Sequence, residues 1–305
     1  ATDAGAPATD LDPDAAGVEA LIDRLLAEHP PATTDERSFL EAQYDLGLAW
    51  VHFPEGFGGL GVSPKLQRNV ISRVSRAGGP IGGAKNPIGY GMCGPAVLEH
   101  GTDEQKRLLR ALFSNEDIWC QLFSEPGAGS DVASLSCRAE RDGDEWTING
   151  QKVWTTLAHI SNYGLIIART DPEQPKHRGM TAFIVDMHAP GVEVRPLRQI
   201  TGEAEFNEVY FTDVRVPDSM RVDEVGRGWS VSITTLMNER VSIGGGTPPR
   251  NSGPIGQLLE VWDRTGPHGP VARDELLRLW SQAEINRLTN IRASQNRKLG
   301  TPGPE

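Results

Sequence analysis

Cysteine is scarce: three residues, Cys93, Cys120 and Cys137, in 305, with no C-x-x-C spacing. That argues against a disulfide framework and leaves small buried hydrophobes as the reading. The seven histidines are scattered, with no H-E-x-x-H or comparable ligand spacing, so no structural metal is expected. No stretch approaches the roughly 18 consecutive apolar residues of a membrane-crossing helix. No basic segment followed by an apolar one opens the chain, and a soluble cytoplasmic location is the expectation. Positive charge is also short, 30 Lys+Arg against 41 Asp+Glu for a net charge of −11, which argues against a general nucleic-acid binder.

What is present is length and turn chemistry. The chain is long enough for two or three domains, and 34 Gly with 22 Pro are too many for a bundle made only of helices. Residues 1–14 hold almost nothing large to bury and read as a flexible arm. A helix follows in which Val18, Leu21, Ile22, Leu25 and Leu26 fall on one stripe until Pro30-Pro31 ends it. Further helices are expected at Asp35–Leu46, Lys65–Ala77, Pro95–His100 and Glu104–Phe113, making 15–116 a helical domain. The period then changes. Trp119–Phe123, Trp146–Ile148, Tyr163–Arg169, Thr181–Asp186, Val192–Val194 and Glu208–Phe211 read as strands of a central antiparallel β domain over 117–220. Asn149-Gly150 between two strand-like pieces is a hairpin cue. From Trp229 helical patterning returns, at Ser232–Val241, Gln257–Trp262 and Val271 to about Asn296. Region 221–305 thus has too few helices for an independent bundle, and residues after Glu305 or another chain are expected to complete it.

Ser124-Glu125-Pro126-Gly127-Ala128-Gly129-Ser130-Asp131 has neither the Gly-Lys-Ser/Thr ending of a phosphate-binding loop nor the G-x-G-x-x-G of a dinucleotide fold. On its own it is either a tight turn or a set of backbone N–H and hydroxyl donors offered to a ligand. Glu239, in Thr235-Leu236-Met237-Asn238-Glu239-Arg240-Val241, interrupts an apolar helical segment. Taken alone it is a partner of Arg240 or a helix-surface carboxylate.

Together with Asn149-Gly150-Gln151-Lys152-Val153-Trp154-Thr155-Thr156, Pro54–Gly61, Gly101–Lys106, Phe206-Asn207-Glu208-Val209, Val214–Pro217 and Asn238-Glu239-Arg240-Val241, this loop resembles the acyl-CoA dehydrogenase family over essentially the whole chain. The resemblance implies an α+β multidomain fold: an N-terminal helical domain, a central antiparallel β domain and a C-terminal four-helix-bundle domain, incomplete here. It implies FAD-dependent α,β-desaturation of an acyl-CoA thioester to a trans-2-enoyl-CoA within fatty acid β-oxidation, with electrons passed to an electron-transfer flavoprotein. An acyl-CoA oxidase and a non-catalytic partner subunit are the alternatives. A homodimer or homotetramer is implied, with a heteromer as the other arrangement.

Carried over by position, Leu122, Phe123, Ser124, Gly129 and Ser130 resemble one side of the flavin pocket. Trp154 resembles the residue packed along the isoalloxazine, Thr156 the donor near N5, and Glu239 the catalytic base of one branch of the family. Lys152 is expected at the solvated surface, as are Glu203 and Glu205. The resemblance weakens at Trp262–Pro270, where the family's Arg-x-x-Phe-Gly segment is missing and Arg264 is the one candidate for its arginine. The Gly- and Pro-rich stretch Gly244–Gly256 is a second departure.

Overall fold

The computed structural model describes residues 13–244 and 249–298. Most of the expected arm, part of the Gly244–Gly256 stretch and the Gly300–Glu305 tail lie outside them. α1 (Pro13–Glu28) buries Val18, Ile22 and Leu25 against Phe39 of α2 and Val70 and Val74 of α3, the apolar stripe serving as the packing face. α2 (Glu36–Asp45) starts where it does because the Asp35 carboxylate accepts from the Ser38 N–H at 3.0 Å, satisfying a donor that a helix start otherwise leaves orphaned. A 3-10 turn at Pro64–Leu66 leads into α3 (Gln67–Arg76).

A π-helical turn at Gly89–Cys93 precedes α4 (Gly94–His100); no sequence signal announced it. It is organised by buried Asn86, whose side-chain oxygen accepts from the N–H groups of Gly89 (3.2 Å) and Trp119 (3.1 Å). Its amide nitrogen donates to the carbonyls of Leu112 and Asp117, both at 3.0 Å, so one side chain ties the helices to the first strand. The expected helix Glu104–Phe113 is two pieces, α5 (Asp103–Lys106) and α6 (Leu109–Phe113). α5 opens with a capping box between Thr102 and Gln105. Gln105 also donates to the carbonyls of Ser219 (2.7 Å) and Arg221 (2.8 Å) at the far edge of the β region.

The β region is a single sheet with strand order β6-β7-β3-β2-β4-β5-β8 and β1 paired to β4. Its strands are β1 (Trp119–Leu122), β2 (Arg138–Asp142), β3 (Glu145–Thr156), β4 (Tyr163–Arg169), β5 (Met180–Asp186), β6 (Val192–Leu197), β7 (Phe206–Pro217) and β8 (Arg221–Val222). The expectation of a wholly antiparallel sheet needs correction: β1 and β4 are parallel over four residue pairs, and β2 meets β4 in parallel at Arg138 and Arg169. β1 arrives directly from the helical region rather than from a neighbouring hairpin, which frees its direction.

The hairpin expected at Asn149-Gly150 is also corrected. β3 runs straight through both residues, and the tight turn lies at Gly143-Asp144, where Asp142 pairs with Glu145 and Gly143 has φ +64. Gly150 is needed for close approach instead, because a Cβ there would sit 2.7 Å from the Cys137 Cα. Asn149 bonds sideways to Asp213 on β7.

α7 (Gly228–Gly244) follows β8. Its Val231 joins the core formed by Leu165, Met180 and the helical residues Met92 and Val97, and the His100 Nε2 of α4 lies 2.9 Å from the Thr234 hydroxyl. Residues Ile243–Glu305 form a separate compact unit containing α8 (Pro254–Thr265) and α9 (Pro270–Lys298). Within it the Trp280 indole N–H donates to Asn251 (2.9 Å), and Trp262 stacks on His268 with centroids 3.7 Å apart. Among the described residues no helix is long and apolar enough to cross a membrane.

Candidate active site

Two segments far apart in sequence meet beside the sheet. The first, following β1, is closed by a tight turn in which Glu125 and Ala128 exchange backbone hydrogen bonds at 2.9 and 3.1 Å. The second is the end of β3, where the pairing with β7 slips between Lys152 and Thr155. Three steps along β3 there match two along β7, so the strand carries one extra residue, a β-bulge. Released from the ladder, the Val153 N–H donates to the Ser124 carbonyl at 2.9 Å. Trp154 takes φ +59 and leaves 62% of its surface exposed. A left-handed, exposed tryptophan is costly on both counts, and such outliers concentrate at functional sites. Among the described residues its ring meets that of Phe206 in a T-shaped contact, centroids 6.2 Å apart, which leaves an aromatic face for a planar partner.

Beneath this edge lies an ion pair. Lys152 is fully buried, with its Nζ 2.8 Å from Glu125 Oε1 and 3.0 Å from the Phe123 carbonyl. The Glu125 carboxylate also accepts from the N–H (2.7 Å) and hydroxyl (2.8 Å) of Ser136 and from the Cys137 N–H (3.0 Å). Burial pushes the Glu125 pKa up, but the Lys152 ammonium and these donors outweigh it and hold the group below its ordinary value. The expectation that Lys152 is solvated surface is therefore overturned. Its place in β3, in step with inward-facing Trp146 and Ile148, was the signal that could have found it.

The other expected site residues are distributed as follows. Leu122 and Phe123 are buried at 0% and 4%, Leu122 within the sheet core and Phe123 in the core shared with the helices. The Phe123 carbonyl is turned inward to the buried Lys152 ammonium. Ser124 is half-buried, while Gly129 and Ser130 are exposed; a Cβ at Gly127 or Gly129 would meet nothing within 4 Å, so this loop offers open backbone to a ligand. Half-buried Thr156 pairs with Phe206 across β3 and β7. The structure thus brings Ser124 and Trp154 together through one backbone hydrogen bond. Glu239 is half-buried on α7, whose preceding turn is anchored by Thr235 and Val231 in the core.

A network that sequence reasoning missed fastens the α7 helix. His100 bridges Asp223, at 2.8 Å from Nδ1, and Thr234, at 2.9 Å from Nε2. Glu203 and Glu205 are exposed, and Arg264 donates to the Glu260 carbonyl of its own helix at 3.2 Å. A cleft of about 590 Å³ is lined by Arg138, Arg169 and Lys176 among others. Their charges are already engaged: Lys176 by Asp131, Arg138 by Glu140, and Arg169 by the carbonyls of Lys176, Ala133 and Leu135.

With this geometry in place, comparison with known proteins is informative. Residues 16–116 match the acyl-CoA dehydrogenase N-terminal domain and residues 120–214 the acyl-CoA dehydrogenase middle domain. The chain is 44% identical over 247 residues to acyl-CoA dehydrogenase FadE34 of Mycobacterium tuberculosis, covering 81% of this chain and 34% of that protein. It is 36% identical over 276 residues to acyl-CoA dehydrogenase IpdE1 of the same organism, covering 90% of this chain and 71% of that protein. Among solved structures, the Tcur3481-Tcur3483 steroid ACAD superposes with a TM-score of 0.69 at 30% identity, covering 97% of this chain and 79% of that one. The ChsE4-ChsE5 complex from Mycobacterium tuberculosis gives 0.68 at 27% identity, covering 98% and 80%. The chain therefore spans about a third of FadE34 and most of the others.

Proposed function

The chain belongs to the acyl-CoA dehydrogenase family, and from this premise we propose that it desaturates an acyl-CoA thioester between Cα and Cβ using FAD. The observation that carries the proposal is Trp154: a large aromatic held outward on a bulge, 62% exposed at φ +59, beside a loop of open glycine backbone. Those residues fit a planar cofactor. Trp154 would cover the flat ring system, Thr156 and Ser124 would meet its polar edge, and the backbone at Gly129 with the Ser130 hydroxyl would face the phosphates. Bound FAD supplies the hydride-accepting chemistry that no side chain can.

The chain's own part is proton transfer and positioning. Glu239 takes the α-proton onto a carboxylate oxygen as Cβ gives up its hydride, so two hydrogens leave and a trans double bond forms. The substrate class we favour is a ring-bearing, steroid-type acyl-CoA, on the strength of the likeness to a steroid ACAD. The electron acceptor is an electron-transfer flavoprotein. A second reading, membership of a heteromer in which another chain completes the site, is favoured by the likeness to a two-component complex.

Anaerobic titration of the full chain with acyl-CoAs of different length, branching and ring content tests the proposal. Bleaching of the flavin band by one member is expected, with Glu239→Gln keeping the flavin spectrum and losing the bleaching. A Glu239→Gln variant that is reduced as fast as wild type assigns the base elsewhere; flavin left untouched by every thioester rejects the activity for this chain on its own.

A further inference from the structure

Trp154 is not held by its own packing, because most of its surface is exposed and its contact with the Phe206 ring is a T-shaped one at 6.2 Å. Its placement must come from the residues before it. Those residues are interlocked with the loop after β1 at three consecutive positions: Lys152 Nζ takes the Phe123 carbonyl, the Val153 N–H takes the Ser124 carbonyl, and Lys152 Nζ takes the Glu125 carboxylate. Glu125 in turn holds Ser136 and Cys137, where the loop rejoins the sheet. Both charged side chains are almost wholly buried, at 0% and 4% exposure. A buried ion pair contributes little stability relative to apolar residues of the same size, but its directional bonds admit only one arrangement of the segments it joins.

We propose that the Lys152–Glu125 pair is a positioning device: it locks the Ser124 loop to the β3 bulge, so that Ser124 and Trp154 are presented to the cofactor as one preformed edge. Neither residue touches the reacting atoms. The inference rests on the reading of this edge as a flavin site. It adds that cofactor affinity is set by residues 152 and 125, which face away from the cofactor. Preorganisation of this kind lowers the ordering cost of binding, so its loss weakens affinity without removing any contact group.

The test uses the full chain and two variants. Lys152→Met with Glu125→Gln removes both charges at nearly constant volume and leaves no orphaned ion. Glu125→Asp keeps both charges and shortens the link by one methylene. Each is checked for cooperative unfolding, then read by hydrogen exchange of the Val153 amide in the absence of FAD and by equilibrium FAD binding. The double variant is expected to exchange the Val153 amide at least tenfold faster and to bind FAD at least tenfold more weakly, and Glu125→Asp to move both in the same direction by a smaller factor. Wild-type Val153 protection in either folded variant overturns the proposal, as does faster exchange with FAD affinity unchanged. Should the wild-type chain itself take up no FAD, the flavin reading fails; Val153 exchange then decides the locking role by itself.

Discussion

Asn149 and Asp213 exchange two hydrogen bonds across β3 and β7: the Asn149 amide donates to the Asp213 carboxylate at 3.0 Å, and the Asp213 N–H donates to the Asn149 carbonyl oxygen at 2.9 Å. Asp213 holds φ +52 there, and the strand register shifts between Ile148 and Gly150. The pair spans a point where the ladder is interrupted and restores the bonds that the irregularity removes. Asn149→Ala removes both bonds and leaves the Asp213 N–H to water, so it is expected to destabilise the chain by about 0.5–1.5 kcal/mol. Urea denaturation checks it, and a midpoint within error of wild type contradicts this role.

Trp154→Ala removes the one large aromatic face that the bulge presents. Because that side chain is mostly exposed, its loss should leave the unfolding midpoint nearly unchanged, surface substitutions amounting to about ±0.5 kcal/mol. FAD retention through gel filtration should fall sharply, or the flavin absorbance should shift. A variant that keeps both cofactor and spectrum would show that the exposed ring serves something else.

The difference between what was legible and what was not is instructive at this same edge. Trp154, Ser124 and Thr156 stand out as candidates because a run of residues in order resembles a family. The apolar stripe of α1 follows from side-chain period, whereas Tyr163–Arg169 and Met180–Asp186 are continuous apolar runs buried on both faces, legible from their length and their β-branched and aromatic residues. Asn149-Gly150 misled because Gly150 does take a positive φ, +147, but at an irregularity within β3 rather than in a turn, and it also lies against the Cys137 backbone. Lys152 misled for a related reason: a lysine is placed at the surface unless its partner is known, and that partner is 27 positions away. The π-turn before α4 depends on the buried Asn86 amide, and such a network has no local period to detect.

Asp218 provides a prediction with pH. The Arg221 guanidinium and the Trp146 indole N–H, both bonded to its carboxylate, lower its pKa from an ordinary 3.8 to about 2. A carboxylate whose pKa is lower in the folded state contributes stability above its unfolded value, and this contribution is lost as pH falls towards the folded one. Asp218→Asn should therefore melt below wild type at pH 7. The difference between the two should shrink as pH is lowered through the window from about 4 to about 2. Thermal melts of both chains across that range check it; a pH-independent difference would mean that the carboxylate's charge is not what stabilises.

The cysteines allow a test of the core itself. Cys93, Cys120 and Cys137 are all buried and unpaired. Burial pushes the Cys120 thiol up to about 12, the Cys137 thiol up to about 11, and the Cys93 thiol well above its usual range. The reactive species is the thiolate, and both its formation and the approach of a reagent are blocked here. The native chain should consume no thiol reagent over the minutes in which a free thiol reacts, and should consume three equivalents once denatured, one for each cysteine in the sequence. Cys137 packs against Gly150. A Cβ at Gly150 would meet the Cys137 Cα at 2.7 Å, so Gly150→Ala should loosen β2 from β3 and make Cys137 the first thiol to react, whereas uniform reactivity would mean that the strands open together.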